Sequence, residues 1–163
     1  MRATWARQTV GVVACAAMCV IGLGSAPGAQ TDPLAGTWKL DVAHSTYKPG
    51  PPPRGSIVTI EAAGKGVKVA VHTVGADGTE VKWGYASARD GKDAPVNGNP
   101  NYDTANVTQT SPTEGTIAYK KGGKTVVTLK TSVSKDGKRL TVTYTGVDPM
   151  GQPLNNVGVF VKQ

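Results

Sequence analysis

The stretch GVKVAVHTVGADGTEVKWGYAS, Gly66 to Ser87, consists of two alternating runs joined at Ala76-Asp77-Gly78. Side chains two apart share a face of an extended strand, so Val67, Val69 and Val71 fall together, as do Val81, Trp83 and Tyr85. Lys68, His72, Glu80 and Lys82 take the opposite sides. The glycine between the runs tolerates the positive φ of a tight turn. The stretch therefore predicts a β-hairpin with one apolar face and one polar face.

The same pattern continues in both directions at intervals of roughly ten residues. It predicts strands at 35–42, 55–63, 66–74, 79–88, 103–110, 114–121, 124–134, 138–147 and 153–162, with a further short one near 92–96. No helix is required. Turn chemistry recurs at Gly64-Lys65-Gly66, Asp90-Gly91, Asn97-Gly98, Gly122-Gly123 and Asp136-Gly137, and the acidic residues Asp77, Asp90, Asp136 and Asp148 are placed to shape the backbone there. The apolar faces are expected to hold Trp38, Leu40 and Val42; Ile117 and Tyr119; Val127, Leu129 and Val133; Leu140, Val142 and Tyr144; and Val157, Val159 and Val161. One apolar face per strand, with the strands linked in order, predicts an all-β antiparallel up-and-down barrel of about eight to ten strands. The alternative is a two-sheet β-sandwich, which uses the same alternation.

Residues 1–29 read as an export signal: Arg2 and Arg7, an apolar run from Val10 to Leu23, then the small residues Gly24 to Ala29. The run is shorter than the ~20 residues of a spanning helix, so no transmembrane segment is expected after cleavage. Secreted or periplasmic localisation follows, and lipid anchoring at Cys15 is not expected. Cys15 and Cys19 both lie in this segment, which leaves 30–163 without thiols, a single domain stabilised by core burial and strand pairing.

Of the 18 basic residues, 16 lie beyond the signal against 11 acidic ones, a mild excess. The basic clusters Lys120, Lys121, Lys124 and Lys135, Lys138, Arg139 flank glycine turns and lack interleaved aromatics, so nucleic acid is not expected as a partner. Catalytic groups are sparse. His44 and His72 are far apart in sequence, His44-Ser45 lacks the flanking glycines of a nucleophile elbow, and no metal-ligand spacing occurs. No enzyme activity, metal or cofactor is expected, and the chain is expected to be a monomer. Pro49 to Pro53 is donor-poor and cannot be a central strand. It reads as a stiff crossing between the first two strands, or as the rim of a barrel mouth.

Gly36-Thr37-Trp38 ahead of an all-strand chain resembles the Gly-x-Trp opening of the lipocalin and fatty-acid-binding (calycin) superfamily. More closely, Gly36 to Val42, Tyr47 to Pro51, Glu61 to Gly64, Asp90 to Asp93, Gly98 to Pro100, Lys120 to Lys124 and Asn155 to Val157 resemble short exported bacterial lipocalin-like proteins of unassigned function. The resemblance implies that Gly36 and Trp38 plug the closed end of the barrel. It also implies that the tryptophan meets a basic residue from the last strands, for which Arg139 and Lys162 are the candidates.

The expected function is to hold a small apolar or amphipathic molecule inside the barrel, with Trp83, Tyr85, Tyr119 and Tyr144 as candidate interior contacts, since ring faces with a polar handle both bury and orient a ligand. The alternative is a ligand-free envelope module that binds a protein or glycan through its basic hairpin tips. An interior cavity of roughly 300 Å³ or more favours the first, and a filled interior the second.

Overall fold

The computed structural model describes residues 32–148 and 150–163; the segment read as an export signal, with its two cysteines, lies outside them. Ten strands follow in order: β1 (Gly36–Leu40), β2 (Gly55–Ala63), β3 (Gly66–Val74), β4 (Glu80–Ser87), β5 (Asp90–Asn97), β6 (Thr104–Ser111), β7 (Glu114–Lys121), β8 (Lys124–Val133), β9 (Arg139–Val147) and β10 (Pro153–Lys162). Each pairs antiparallel with its neighbours in sequence, and β1 pairs with β10 to close the barrel. Closure excludes the sandwich and leaves no free sheet edge.

Alternation decides the inside. Val58, Val71 and Trp83 lie opposite one another across β2, β3 and β4, and Ile60, Val69 and Tyr85 form the next layer. The ladder from Ala105 through Tyr119 to Val127 repeats this across β6, β7 and β8. Each fully buried valine or leucine contributes about 1.5–3 kcal/mol. Lys39, Lys68, Lys82 and Lys130 take the outward parity, so the exterior is a water-facing surface rather than the apolar band of a membrane barrel. No helix among the described residues is long and apolar enough to cross a membrane. Turn aspartates accept backbone hydrogen bonds as expected: Asp77 from Thr79 N (2.9 Å), and Asp148 from Met150 N (2.9 Å) and Gln152 N (2.7 Å).

Three details differ from the sequence reading. The first strand stops at Leu40, and Val42–His44 form a 3-10 turn whose N-cap is Asp41. The short strand near 92–96 is a full strand, β5, although it meets β4 only at Gly84↔Asn97 and Tyr85↔Val96. Such sparse pairing tolerates Pro95, which has no N–H to give. The third difference is the orientation of β10. Trp38 pairs with Lys162, Leu40 with Phe160, and Val142 with Gly158, so the inward residues are Leu154, Asn156, Gly158, Phe160 and Lys162. The expected inward set Val157, Val159 and Val161 takes the outer face, although Val159 is buried there. Valine suits either face of a pleated strand, and here the inner face holds Asn156 and Gly158, which carry no apolar signal. A Cβ at Gly158 would stand 3.0 Å from the Phe160 ring and 3.3 Å from the Tyr144 ring.

Candidate functional site: a chamber at the open end

The chain starts β1 at one end of the barrel, and both N- and C-terminal segments of the described fold gather there. Trp38 is fully buried at this end, and its indole N–H donates to Leu34 O at 2.8 Å. The Lys162 ammonium lies 5.0 Å from the centre of the Trp38 ring and donates to Pro33 O at 3.4 Å. Gly36, at φ +132°, leaves space for the Lys162 arm; a Cβ there would come within 2.7 Å of Lys162 Cε. Arg139 pairs with the outward Val161 and is exposed, away from Trp38. Arg89 was not singled out by sequence reading. It occupies left-handed backbone (φ 59°), and its guanidinium is nearly buried between Asp32 Oδ2 (2.5 Å) and Gln109 Oε1 (2.7 Å). Together these contacts seal the end with residues 32–34.

The other end is open inside. A chamber of about 240 Å³ is lined by Trp83, Tyr85, Tyr119 and Tyr144, the four candidate residues, on strands β4, β7 and β9. Three of the four are brought into ring contact: Trp83 meets Tyr119 edge-on at 5.4 Å and stacks with Tyr85 at 6.3 Å, while Tyr85 meets Tyr119 at 6.0 Å. Tyr144 lines the same chamber from β9, on the side of Gly158.

The lining also includes Tyr102, Tyr47 and Asn156, which the sequence did not single out, and Pro53, from the stretch that the sequence offered as a rim. Tyr102, in the connection from β5 to β6, stacks on Tyr119 at 4.8 Å and meets Trp83 edge-on at 6.0 Å. Tyr47 and Pro53 belong to the crossing between β1 and β2, which is therefore a rim of the chamber. Asn156, on β10, lines the chamber and accepts a hydrogen bond from Lys48 N at 2.7 Å, tying the crossing to the barrel. The available signal was an aromatic set among prolines and glycines, at Tyr47-Lys48-Pro49 and Pro100-Asn101-Tyr102, where a solvated loop has no need of a ring.

The chamber has two neighbours. Ile60, Val69, Tyr85, Ile117, Thr131 and Leu140 form a waist that parts it from a pocket of about 60 Å³ above the Trp38 seal. At the mouth, a vestibule of about 310 Å³ lies among Pro100, Val126, Val147 and Leu154, with Lys121 and Asp148 at its border. Tyr102 lines both chamber and vestibule and is the partition between them.

No family model and no curated protein matches the chain. The chemistry of the chamber must be taken from its own walls. Among the described residues no charged side chain lines it; its polar side chains are the tyrosines, Trp83 with its indole N–H, the Ser56–Thr73 hydroxyl pair (2.9 Å), Thr131 and Asn156. Burial pushes the Tyr47 hydroxyl up to about 12 and raises Tyr102, with no hydrogen bond offsetting it. Tyr144 is raised by burial and then by the neighbouring Tyr47, Tyr102 and Tyr85. Tyr119 is raised by burial and further by Tyr85, whose own hydroxyl is raised by burial and eased by its hydrogen bond to Tyr119. All five hydroxyls are protonated at neutral pH, available as neutral donors and acceptors.

The remaining candidates lie elsewhere. His44 Nδ1 pairs with Asp41 Oδ2 at 2.7 Å, but Ser45 Oγ donates to Asp41 O (2.6 Å) and accepts from Val159 N (2.9 Å), so the serine is spent on backbone. His72 faces outward against Glu80 at 2.9 Å. The two basic clusters occupy opposite ends of the barrel, since the β7–β8 turn is at the mouth and the β8–β9 turn at the sealed end. Lys120 is bound to both Asp93 carboxylate oxygens, at 2.8 and 2.9 Å.

Proposed function

We propose that the chain is an exported, lipocalin-like barrel that holds a small apolar or amphipathic molecule in its open-end chamber. The observation that carries this reading is the chamber itself: about 240 Å³ of space inside a barrel sealed at the other end, with aromatic rings on its wall. The volume is below the roughly 300 Å³ at which ligand pockets usually begin, and yet the interior is not filled. It suits a small ligand. The Gly-Thr-Trp opening and the Lys162–Trp38 contact support the lipocalin-like assignment. Hydroxyls held protonated, with no carboxylate or imidazole beside them among the described residues, support binding rather than acid–base catalysis. The division of the basic clusters between two ends weakens the rival reading of one basic docking surface.

Native mass spectrometry of the purified protein, with its organic extract analysed for copurified compounds, tests the reading. An adduct released by organic solvent is expected. A clean apo mass, together with no tryptophan fluorescence response to a panel of small apolar compounds, would overturn it.

A further inference from the structure

We infer that the chamber selects a neutral, flat aromatic molecule of about a dozen non-hydrogen atoms that carries a hydroxyl or carbonyl group, and that it rejects carboxylates. The inference rests on the binding function proposed above and narrows it to a ligand class.

Size follows from the volume. At the close-packed density of protein interiors, about 240 Å³ accommodates roughly a dozen non-hydrogen atoms. That is a two-ring molecule, too small for a long acyl chain unless the chain runs past Tyr102 into the vestibule.

Neutrality follows from the lining. A buried anion needs a cation or several donors to replace its hydration, and among the described residues no lysine, arginine or histidine lines the chamber. Two arginines near its ends point their polar atoms at other partners. At the rim, Arg54 Nε donates to Ala76 O at 3.1 Å, and below the waist Arg89 is held by Asp32 and Gln109. A carboxylate entering the chamber would therefore be desolvated without a counter-charge.

Flatness follows from the wall. Trp83, Tyr85, Tyr102 and Tyr119 form one connected group of rings with centroid separations of 4.8 to 6.3 Å. Such a wall gains edge-to-face and offset-stacked contacts from another ring that a saturated skeleton of equal size cannot supply. The rest of the wall carries Val58 and Val71, beside Trp83 on the neighbouring strands, and Val142 on β9, whose branched surfaces accept a flat face without demanding a particular polar group. A polar substituent is called for at the mouth side, where Tyr47 and Tyr144 approach each other over Gly158. Their hydroxyls, which border the chamber, gain a partner if the ligand brings an oxygen to them.

Four probes separate these terms, each titrated into the purified protein by isothermal calorimetry at pH 7. They are 2-naphthol, 2-naphthoate, decahydro-2-naphthol and decanoate. The expected order has 2-naphthol at least ~10-fold tighter than either carboxylate and roughly 3-fold or more tighter than its saturated analogue. Trp83→Leu is expected to remove the advantage of the aromatic over the saturated alcohol while leaving the saturated alcohol's affinity nearly unchanged. Val71→Phe, which fills the chamber, is expected to abolish 2-naphthol binding; a far-ultraviolet circular dichroism spectrum checks that each variant keeps the strand signature. Val142→Phe serves the same purpose should Val71→Phe fail to fold. Carboxylates that bind as well as 2-naphthol would overturn the ligand class and leave the carrier function standing. Naphthol binding unaffected by the filling variants would overturn the chamber as its site. Failure of all four probes to bind would overturn the ligand class, and the carrier function would then stand or fall on the native mass spectrum.

Discussion

At the sealed end of the barrel the buried polar groups are matched within the protein; at the open end the partly buried Tyr47, Tyr102 and Tyr144 line a cavity. Trp38, Lys162 and Arg89 all donate to residues 32–34, closing the barrel with one short segment. Tyr47, Tyr102 and Tyr144, by contrast, are raised by burial with no hydrogen bond to ease it. Interiors of barrels of about eight strands are filled in one case and hold a small ligand in another. Here a single barrel does both, with stability concentrated below the waist and binding capacity above it.

The largest expected effect is at the seal. Trp38→Ala is expected to lower unfolding stability by about 3–5 kcal/mol, the range for removing a fully buried large aromatic, measured by urea denaturation. Trp83→Ala, which removes a ring already bordering a void, is expected to cost less than half as much. Equal losses would erase the contrast between the ends.

Asp32→Ala comes next. It leaves the Arg89 guanidinium nearly buried with only Gln109, and a loss of roughly 3 kcal/mol is expected. The pair Asp32→Leu with Arg89→Met is expected to recover most of that, because an apolar replacement removes the unpaired charge. A double variant no better than Asp32→Ala would show that residues 32–34 are held by something other than this charge pair.

The open end is sharpened by pH. A hydroxyl whose pKa is raised in the fold keeps its proton when the unfolded chain has lost it. Its contribution is therefore fully present below pH ~10 and is lost as pH rises from the unfolded value through the folded one. For Tyr47 that window runs from about 10 to about 12. Stability is expected to fall steeply above pH 10, and Tyr47→Phe or Tyr144→Phe is expected to flatten the fall. The turn aspartates Asp77 and Asp136 are lowered by backbone and hydroxyl hydrogen bonds, so their contribution is lost at the opposite extreme, as pH drops below about 4. An alkaline limb unchanged by the tyrosine variants would contradict the assignment of buried hydroxyls to this end.

The smallest stability effect is expected at Tyr102. Tyr102→Ala joins chamber and vestibule at a cost of about 1–2 kcal/mol, within the usual range for single substitutions, and is expected to speed release of a bound neutral probe roughly 10-fold in stopped-flow fluorescence. Unchanged release would mean that Tyr102 does not part the two spaces.

Much of this was legible in the sequence. Period-two alternation with glycine turns located the strands, β5 only as a shorter segment near 92–96, and the inward sides of β3, β4, β7, β8 and β9 followed from parity. Parity failed on β10, because a strand whose inner face carries Asn156 and Gly158 shows its valines on the outside. The ring wall was legible where its members sit within strands, at Trp83, Tyr85 and Tyr119. Tyr47 and Tyr102 were not, since loop residues obey no period and only closure of the barrel brings them over the mouth. Arg89 was hidden for a similar reason: its role depends on a left-handed backbone turn and on Asp32, which is distant in sequence.

The central claim, that the open end and not the sealed end is the binding site, is tested most directly by a crystal structure of the protein grown with saturating 2-naphthol. The account expects ligand density in the chamber between Trp83 and Tyr144, with the naphthol oxygen toward the mouth. An empty chamber, or density confined to the pocket above Trp38 or to the outer surface, would contradict it.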